Sequence, residues 1–256
     1  NADYERVRVL HASKKATPLV TLAQARANKT RVDWASYEPP VPKFIGRRVF
    51  RNYDLAELAA SIDWGPFFQT WDLAGRFPEI LRDEVVGAEA TRVLSDGKRL
   101  LQRLIEGRWL QASGVIALLP ANTVDDDTIE VYADESRQQV LLRWSPLRLQ
   151  SERPVVDGVK RPNRCLADFV APKDGPGAKP DYVGLFAVTA GLGVEKKERQ
   201  FLDDHDDYSA IMLKALADRL AEAFAERLHQ RARTDLWGYA ADEALANEQL
   251  IAEQYR

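Results

Sequence analysis

One stretch constrains this chain more than any other: HDDYSAIMLKALADRLAEAFAERLHQRAR, from His205 to Arg233. Met212, Leu213, Leu216, Leu220, Ala223 and Phe224 recur at spacings of three and four. At about 100° per residue they fall on one broad apolar face, which makes the stretch a single long helix with that face in the core. Asp206 or Asp207 is placed to cap its start, where a carboxylate accepts from orphan amides and opposes the positive end of the dipole. His229, Arg231 and Arg233 stand at the other end, the favourable sign there.

The opposite side of this helix is narrow and carries two acids. Ile211, Glu222, Ala225 and His229 all project within about 40° of Asp218. Asp218 and Glu222 are like charges at i and i+4, which costs an isolated helix about 0.2–0.5 kcal/mol unless compensated. Lys214, one turn earlier, is an internal candidate for that compensation. Two readings follow: a solvated face with local ion pairs, or a carboxylate pair held rigidly for a cationic or hydrogen-bonding partner.

With 256 residues, 45% of them hydrophobic, the chain can bury one substantial core or two smaller ones. Its net charge of -3 comes from mixed acids and bases, which argues against a nucleic-acid stripe. The one cysteine, Cys165, excludes an intrachain disulfide and cannot build a thiolate metal site alone, so a reducing cytosol fits. No apolar run is long enough for a membrane span, and the first residues have no signal-peptide core. A start at Asn1 fits a piece of a larger polypeptide.

From the beginning, Asp3 to about Lys15 is expected to be a charged helix leading out of a linker, and Leu19 to Ala27 to add a helical turn or two. Pro39, Pro40 and Pro42 then impose an extended strap. Ile45 to Tyr53 has the composition of a strand, and Asp54 can cap a helix from Leu55 to about Ile62. That helix delivers SIDWGPFFQTW, where Asp63 stands among aromatics and Gly65-Pro66 turns the chain. Asp63 is either a helix-end carboxylate bonded to its turn or a ligand-binding acid at the rim of an apolar pocket.

A second long helix is expected from Asp83 to about Glu106, with Gly97 its weakest point. VIALLPA, TIEVYAD and QVLLRW read as three strands whose short links make them antiparallel. Asp125, Asp126 and Asp127, between the first two, invite a metal but fit a solvated turn better. Pro146 to Glu152 is expected as a short helix, LADFVAP and YVGLFAVTAG as extended segments, and TAGLGVE as a turn. WGYAADEALANEQLIAEQYR closes the chain with a turn and a helix.

Taken together, SIDWGPFFQTW, VVGAEA, LLPAN, CLADFVAP, HDDYSAIMLKALADRLAEAFAERLH and LWGYA resemble the activation domain of cobalamin-dependent methionine synthase over nearly the whole chain. The resemblance implies an α+β fold: a C-shaped single domain with a bent antiparallel sheet and surrounding helices, here with its C-terminal part missing. Residues 1–43 would be a linker-derived helix and strap, and 44–256 the activation domain. It implies a module that binds S-adenosylmethionine and presents its methyl group to cobalamin held by a neighbouring domain of the same polypeptide. Cob(II)alamin there takes an electron from flavodoxin or an equivalent reductase and is remethylated, in support of methyl transfer to homocysteine. Any zinc is expected on the homocysteine domain, and the main catalytic sites on other domains.

On the same resemblance Asp63 matches an acid that contacts S-adenosylmethionine. Asp218 and Glu222 match acids on the cofactor-facing helix that contact the cobalamin domain, with Glu222 also a candidate for the ligand. A sulfonium and an ammonium make carboxylates reasonable partners. The family continues with an Arg-Pro-x-Pro-Gly-Tyr-Pro segment that closes over the ligand, whereas this sequence stops at Arg256, which is not that arginine. The alternative is therefore a module that docks the cobalamin domain or reductase without holding the ligand.

Overall fold

The computed structural model describes residues 2–13 and 18–255, so the expected end of the first helix at Lys15, and the terminal Asn1 and Arg256, lie outside the described residues. Eight α-helices are described: α1 Ala2–Ser13, α2 Leu22–Ala27, α3 Leu55–Ala59, α4 Gly65–Gln69, α5 Gly87–Glu106, α6 Val194–Asp203, α7 Asp207–Arg231 and α8 Asn247–Ile251. The strands are β1 Gly46–Tyr53, β2 Gln111–Thr123, β3 Ile129–Tyr132, β4 Val140–Trp144, β5 Val155–Val156, β6 Val159–Lys160 and β7 Asp181–Leu192. The class is α+β with an antiparallel sheet, in the order β1-β2-β3-β4 with β7 also on β2. The chain forms two compact units, Asn1–Val41 with Leu119–Val183, and Pro42–Leu118 with Gly184–Arg256.

The second unit is built on α7. Its buried side, which includes Met212, Leu213, Leu216, Leu220, Ala223 and Phe224, is the periodic face read from the sequence. The helix begins at Asp207 rather than His205 because α6, unforeseen in the sequence, ends just before it. His205 takes a left-handed φ of 57°, which lets the Asp206 amide close back on the Phe201 carbonyl at 2.8 Å. Asp206 then caps α7, its carboxylate accepting from the Ser209 amide at 3.0 Å.

Around α7 pack α3, α4, α5 and α6. The α5 helix starts at Gly87, four residues later than expected. Asp83 is the reason: its Oδ1 accepts from the amides of Val85 and Val86 at 2.8 and 2.9 Å, which holds a turn in place of helix. Gly97, read as a weak point, has a packing role. A Cβ there would lie 2.7 Å from Cζ of the buried Phe67 ring. In the same way Gly114 of β2 leaves room for the end of the Phe224 ring, 2.8 Å from an added Cβ. The face of β2 that holds Gly114, Ile116 and Leu118 is buried on the helical core.

The first unit is organised by charge. Pro146 to Glu152, expected as a short helix, is extended instead, with Ser151 bridging Leu19 and the Val20 amide donating to the Gln150 carbonyl at 2.8 Å. Arg148 accounts for this, since its side chain is fully buried and spends every nitrogen on fixed partners. Nε donates to Asp127 Oδ1 at 2.6 Å, Nη1 and Nη2 to the two Asp168 oxygens at 3.0 and 2.7 Å, and both also reach backbone carbonyls. LADFVAP is likewise not extended: Leu166–Phe169 is a 3₁₀ turn, which swings Asp168 inward to that arginine.

Candidate functional site

Asp63 lies in the turn between α3 and α4. Leu55 and Leu58 anchor α3, and Phe67 and Phe68 anchor α4, all four in the core. The turn between them is therefore held from both sides. Pro66 starts α4 where its missing N–H costs no bond. Asp63 is half-buried, and its Oδ1 accepts from the Gly65 amide at 2.8 Å. Oδ2 has no hydrogen bond or ion pair among the described residues, so half of the carboxylate is bound to the turn and half is open. Trp64, next to it, meets Phe67 edge-on at 5.2 Å, with Lys98 Nζ 6.0 Å from its ring centroid. The turn thus combines an aromatic wall with a carboxylate oxygen able to accept from a cation or a donor.

Asp218 and Glu222 lie on the exposed side of α7, with Ile211, also exposed, on the same side. Lys214 does not compensate Asp218: it donates to Glu198 of α6 at 2.9 Å. Arg219 does, with Nη2 2.6 Å from Asp218 Oδ2; the Asp218 side chain stays 72% exposed while Arg219 is 13% exposed. Sequence reasoning missed Arg219, because neighbours at i and i+1 on a helix point about 100° apart and only the arginine's reach closes the gap. Glu222 makes no hydrogen bond or ion pair among the described residues. The structure therefore brings Asp218 and Glu222 onto one surface, one neutralised by its neighbour and one open. No described contact joins Asp63 to either acid, although α4 and α7 pack together.

The aspartate run is a turn, as expected, but only partly solvated: Asp125 is exposed, whereas the Asp127 side chain is 14% exposed and ion-paired. Asp125 Oδ1 accepts from the amides of Asp127 and Thr128 at 2.8 and 2.7 Å, shaping the β2–β3 link. Asp126 meets Lys29 Nζ at 2.6 Å, and Asp127 meets both Arg26 and Arg148 at 2.6 Å. Burial alone would raise the Asp127 carboxyl, but hydrogen bonds from Arg148 and Arg26 outweigh it and hold the group below the usual carboxylate range. Among the described residues no group of His, Cys, Asp and Glu is arranged to hold a metal ion. A cleft of about 600 Å³ beside this run is lined by Lys29, Arg31, Trp34, Asp126 and Asp174 among others, and contains none of the three candidate acids.

Comparison with known proteins places these features in a family. The model of the vitamin B12 dependent methionine synthase activation domain matches residues 54–256. Among solved structures, the chain is similar to one described as the MetH reactivation domain bound to AdoHcy. The two share 49% identity and a TM-score of 0.86, over 94% of this chain and 71% of that one.

Proposed function

Because the chain belongs to the activation-domain family of vitamin B12 dependent methionine synthase, we propose that it binds S-adenosylmethionine for the reductive methylation of cobalamin on a neighbouring domain. The observation that carries this is the similar solved structure, which holds AdoHcy, the molecule left when S-adenosylmethionine gives up its methyl group. The chain is then part of a methyltransferase. Residues 44–256 are the working domain and 1–43 its lead-in.

Asp63 is the residue we assign to the ligand. Its Oδ2 is open beside Trp64 while Oδ1 is fixed by the Gly65 amide, so the carboxylate is already oriented before a sulfonium or ammonium arrives. Bound S-adenosylmethionine supplies the methyl group, and flavodoxin or an equivalent reductase supplies the electron. Asp218 and Glu222 we assign to the cobalamin domain. An exposed carboxylate pair on a helix buried along its other side is a rigid acceptor for an imidazole released from cobalamin. No described helix is long and apolar enough to cross a membrane, and the single buried cysteine suits the reducing cytoplasm.

The test of the α7 assignment is the rate of reductive reactivation across pH, in a methionine synthase carrying this domain with Asp218→Asn and Glu222→Gln. A carboxylate partner favours imidazolium, so docking gains as pH falls toward the ordinary histidine value of about 6.5. The double variant should fold normally, reactivate more slowly and lose that gain. Superimposable pH profiles would return both acids to a solvated face.

A further inference from the structure

The ion pair between Arg219 and Asp218 has no part in holding α7 to its neighbours. Elsewhere along this stretch arginines link separate parts of the chain. Arg227 ties α7 to Glu57 of α3, Arg231 reaches Asp235 in the π-helical turn Ala232–Leu236, and Arg233 of that turn holds Glu243 through two nitrogens. Arg219 instead bonds the residue just before it, at 2.6 Å. Regular helix spacing does not offer that contact, since side chains at i and i+1 leave the axis about 100° apart. A pair inside one turn of one helix joins no second element, and with one partner exposed it adds little stability.

What the pair does fix is the direction of an exposed carboxylate. Ala215 and Ala223, four residues to either side of Arg219, are small and buried, and the arginine side chain itself is mostly covered. Asp218 is largely exposed, and an exposed aspartate on a helix samples several rotamers unless something holds it. A charge-assisted bond from a covered arginine selects one of them. Oδ2 is then taken, and Oδ1 has no hydrogen bond or ion pair among the described residues. The arrangement repeats that at Asp63, where the Gly65 amide takes one oxygen and leaves the other. Charge is set by the same contact. Lys214 is committed to Glu198 of α6, so Arg219 is the cation that offsets Asp218, and the trio is left with the one negative charge of Glu222. An imidazolium carries one positive charge and two N–H donors, which this trio matches in sign and in number of acceptors.

We propose that Arg219 is a positioning residue for docking: it holds Asp218 so that Oδ1 accepts one N–H of the partner's imidazolium, while Glu222 accepts the other and supplies the counter-charge. The proposal rests on the assignment of Asp218 and Glu222 to the cobalamin domain. Arg219 itself touches no imidazole; it acts through the orientation of Asp218.

The experiment is a double-mutant cycle on the rate of reductive reactivation, in a methionine synthase carrying this domain and saturated with S-adenosylmethionine. Arg219→Met keeps a covered stem and removes the charge. Arg219→Gln, a second uncharged variant, takes its place if melting shows that the methionine variant does not fold. Either should slow reactivation roughly two- to fivefold, and neither should slow it further once Asp218 is replaced by Asn. An unchanged rate would overturn the proposal. So would the same loss with and without Asp218, which would make Arg219 a packing residue, or faster reactivation, which would make it a competitor for Asp218. The underlying assignment fails by a separate result, an unchanged rate in Asp218→Asn with Glu222→Gln. Slowing in that double variant but not in the Arg219 variants would overturn the role of Arg219 alone.

Discussion

Arg148 and Asp168 form a two-point ion pair inside the first unit, Nη1 to Oδ2 at 3.0 Å and Nη2 to Oδ1 at 2.7 Å, with side chains 0% and 1% exposed. The amides of Thr30 and Cys165 add to the same Asp168 oxygen at 3.2 and 3.1 Å. One carboxylate therefore ties the segment after α2, the 3₁₀ turn and the segment around Arg148 together. Removing the arginine strands Asp168 without a counter-charge and leaves Asp127 with Arg26 alone. Arg148→Ala should lose about 3–5 kcal/mol, read by urea denaturation, with amide exchange accelerating first in residues 26–30. Arg148→Met with Asp168→Leu should cost less than the single change, because no buried charge is left alone.

Gly97 gives the second prediction. In an exposed helix interior, Gly→Ala gains about 1 kcal/mol of propensity. Here the new methyl meets the Phe67 ring, which is 1% exposed and has nowhere to move. Gly97→Ala should therefore destabilise by about 1–3 kcal/mol despite the better propensity. Adding Phe67→Leu should recover part of the loss, a coupling visible in a double-mutant cycle of melting free energies.

Asp206 supports a pH prediction. Hydrogen bonds from the Ser209 hydroxyl and amide lower its carboxyl below the ordinary value. A carboxyl depressed on folding adds stability that is present above its unfolded value, about 3.9, and is lost as pH falls through the folded value. Asp206→Ala should cost about 0.5–2 kcal/mol near neutrality. The gap between variant and parent should begin to narrow below about pH 4 and go on narrowing until the folded Asp206 carboxyl is protonated as well. A constant gap from pH 7 to pH 3 would mean that the carboxylate's charge has no part in the cap.

What the sequence made legible follows from the range of the interactions involved. The apolar period of α7 and the caps at Asp54 and Asp206 are local, and all are present. The three strands from VIALLPA, TIEVYAD and QVLLRW pair antiparallel as their short links required. Failures came where a distant partner decides the backbone. Pro146 to Glu152 has respectable helix formers, but Arg148 is committed to Asp127 and Asp168, 21 and 20 residues away, and the chain straightens to reach them. The ion pairs of the aspartate run were missed for the same reason, since Arg26 of α2 and Lys29 just after it come from about 100 residues earlier. Helix α6 escaped notice because Phe201 is its one buried residue and the rest of VEKKERQFLD is largely charged. At the site, the turn around Asp63 was legible, but the open Oδ2 and the Arg219 bond to Asp218 depend on side-chain placement that no spacing rule supplies.

The account turns on Asp63. Calorimetric titration with S-adenosylmethionine tests it most directly, on a protein joining this chain to the Arg-Pro-x-Pro-Gly-Tyr-Pro segment expected after it. Asp63→Asn keeps an oxygen to accept from the Gly65 amide, so the turn survives while the charge is lost. The account predicts intact melting behaviour and binding weaker by about 1–3 kcal/mol, roughly five- to 150-fold. Unchanged affinity in a folded variant would contradict it, leaving Asp63 as the carboxylate of a turn and nothing more.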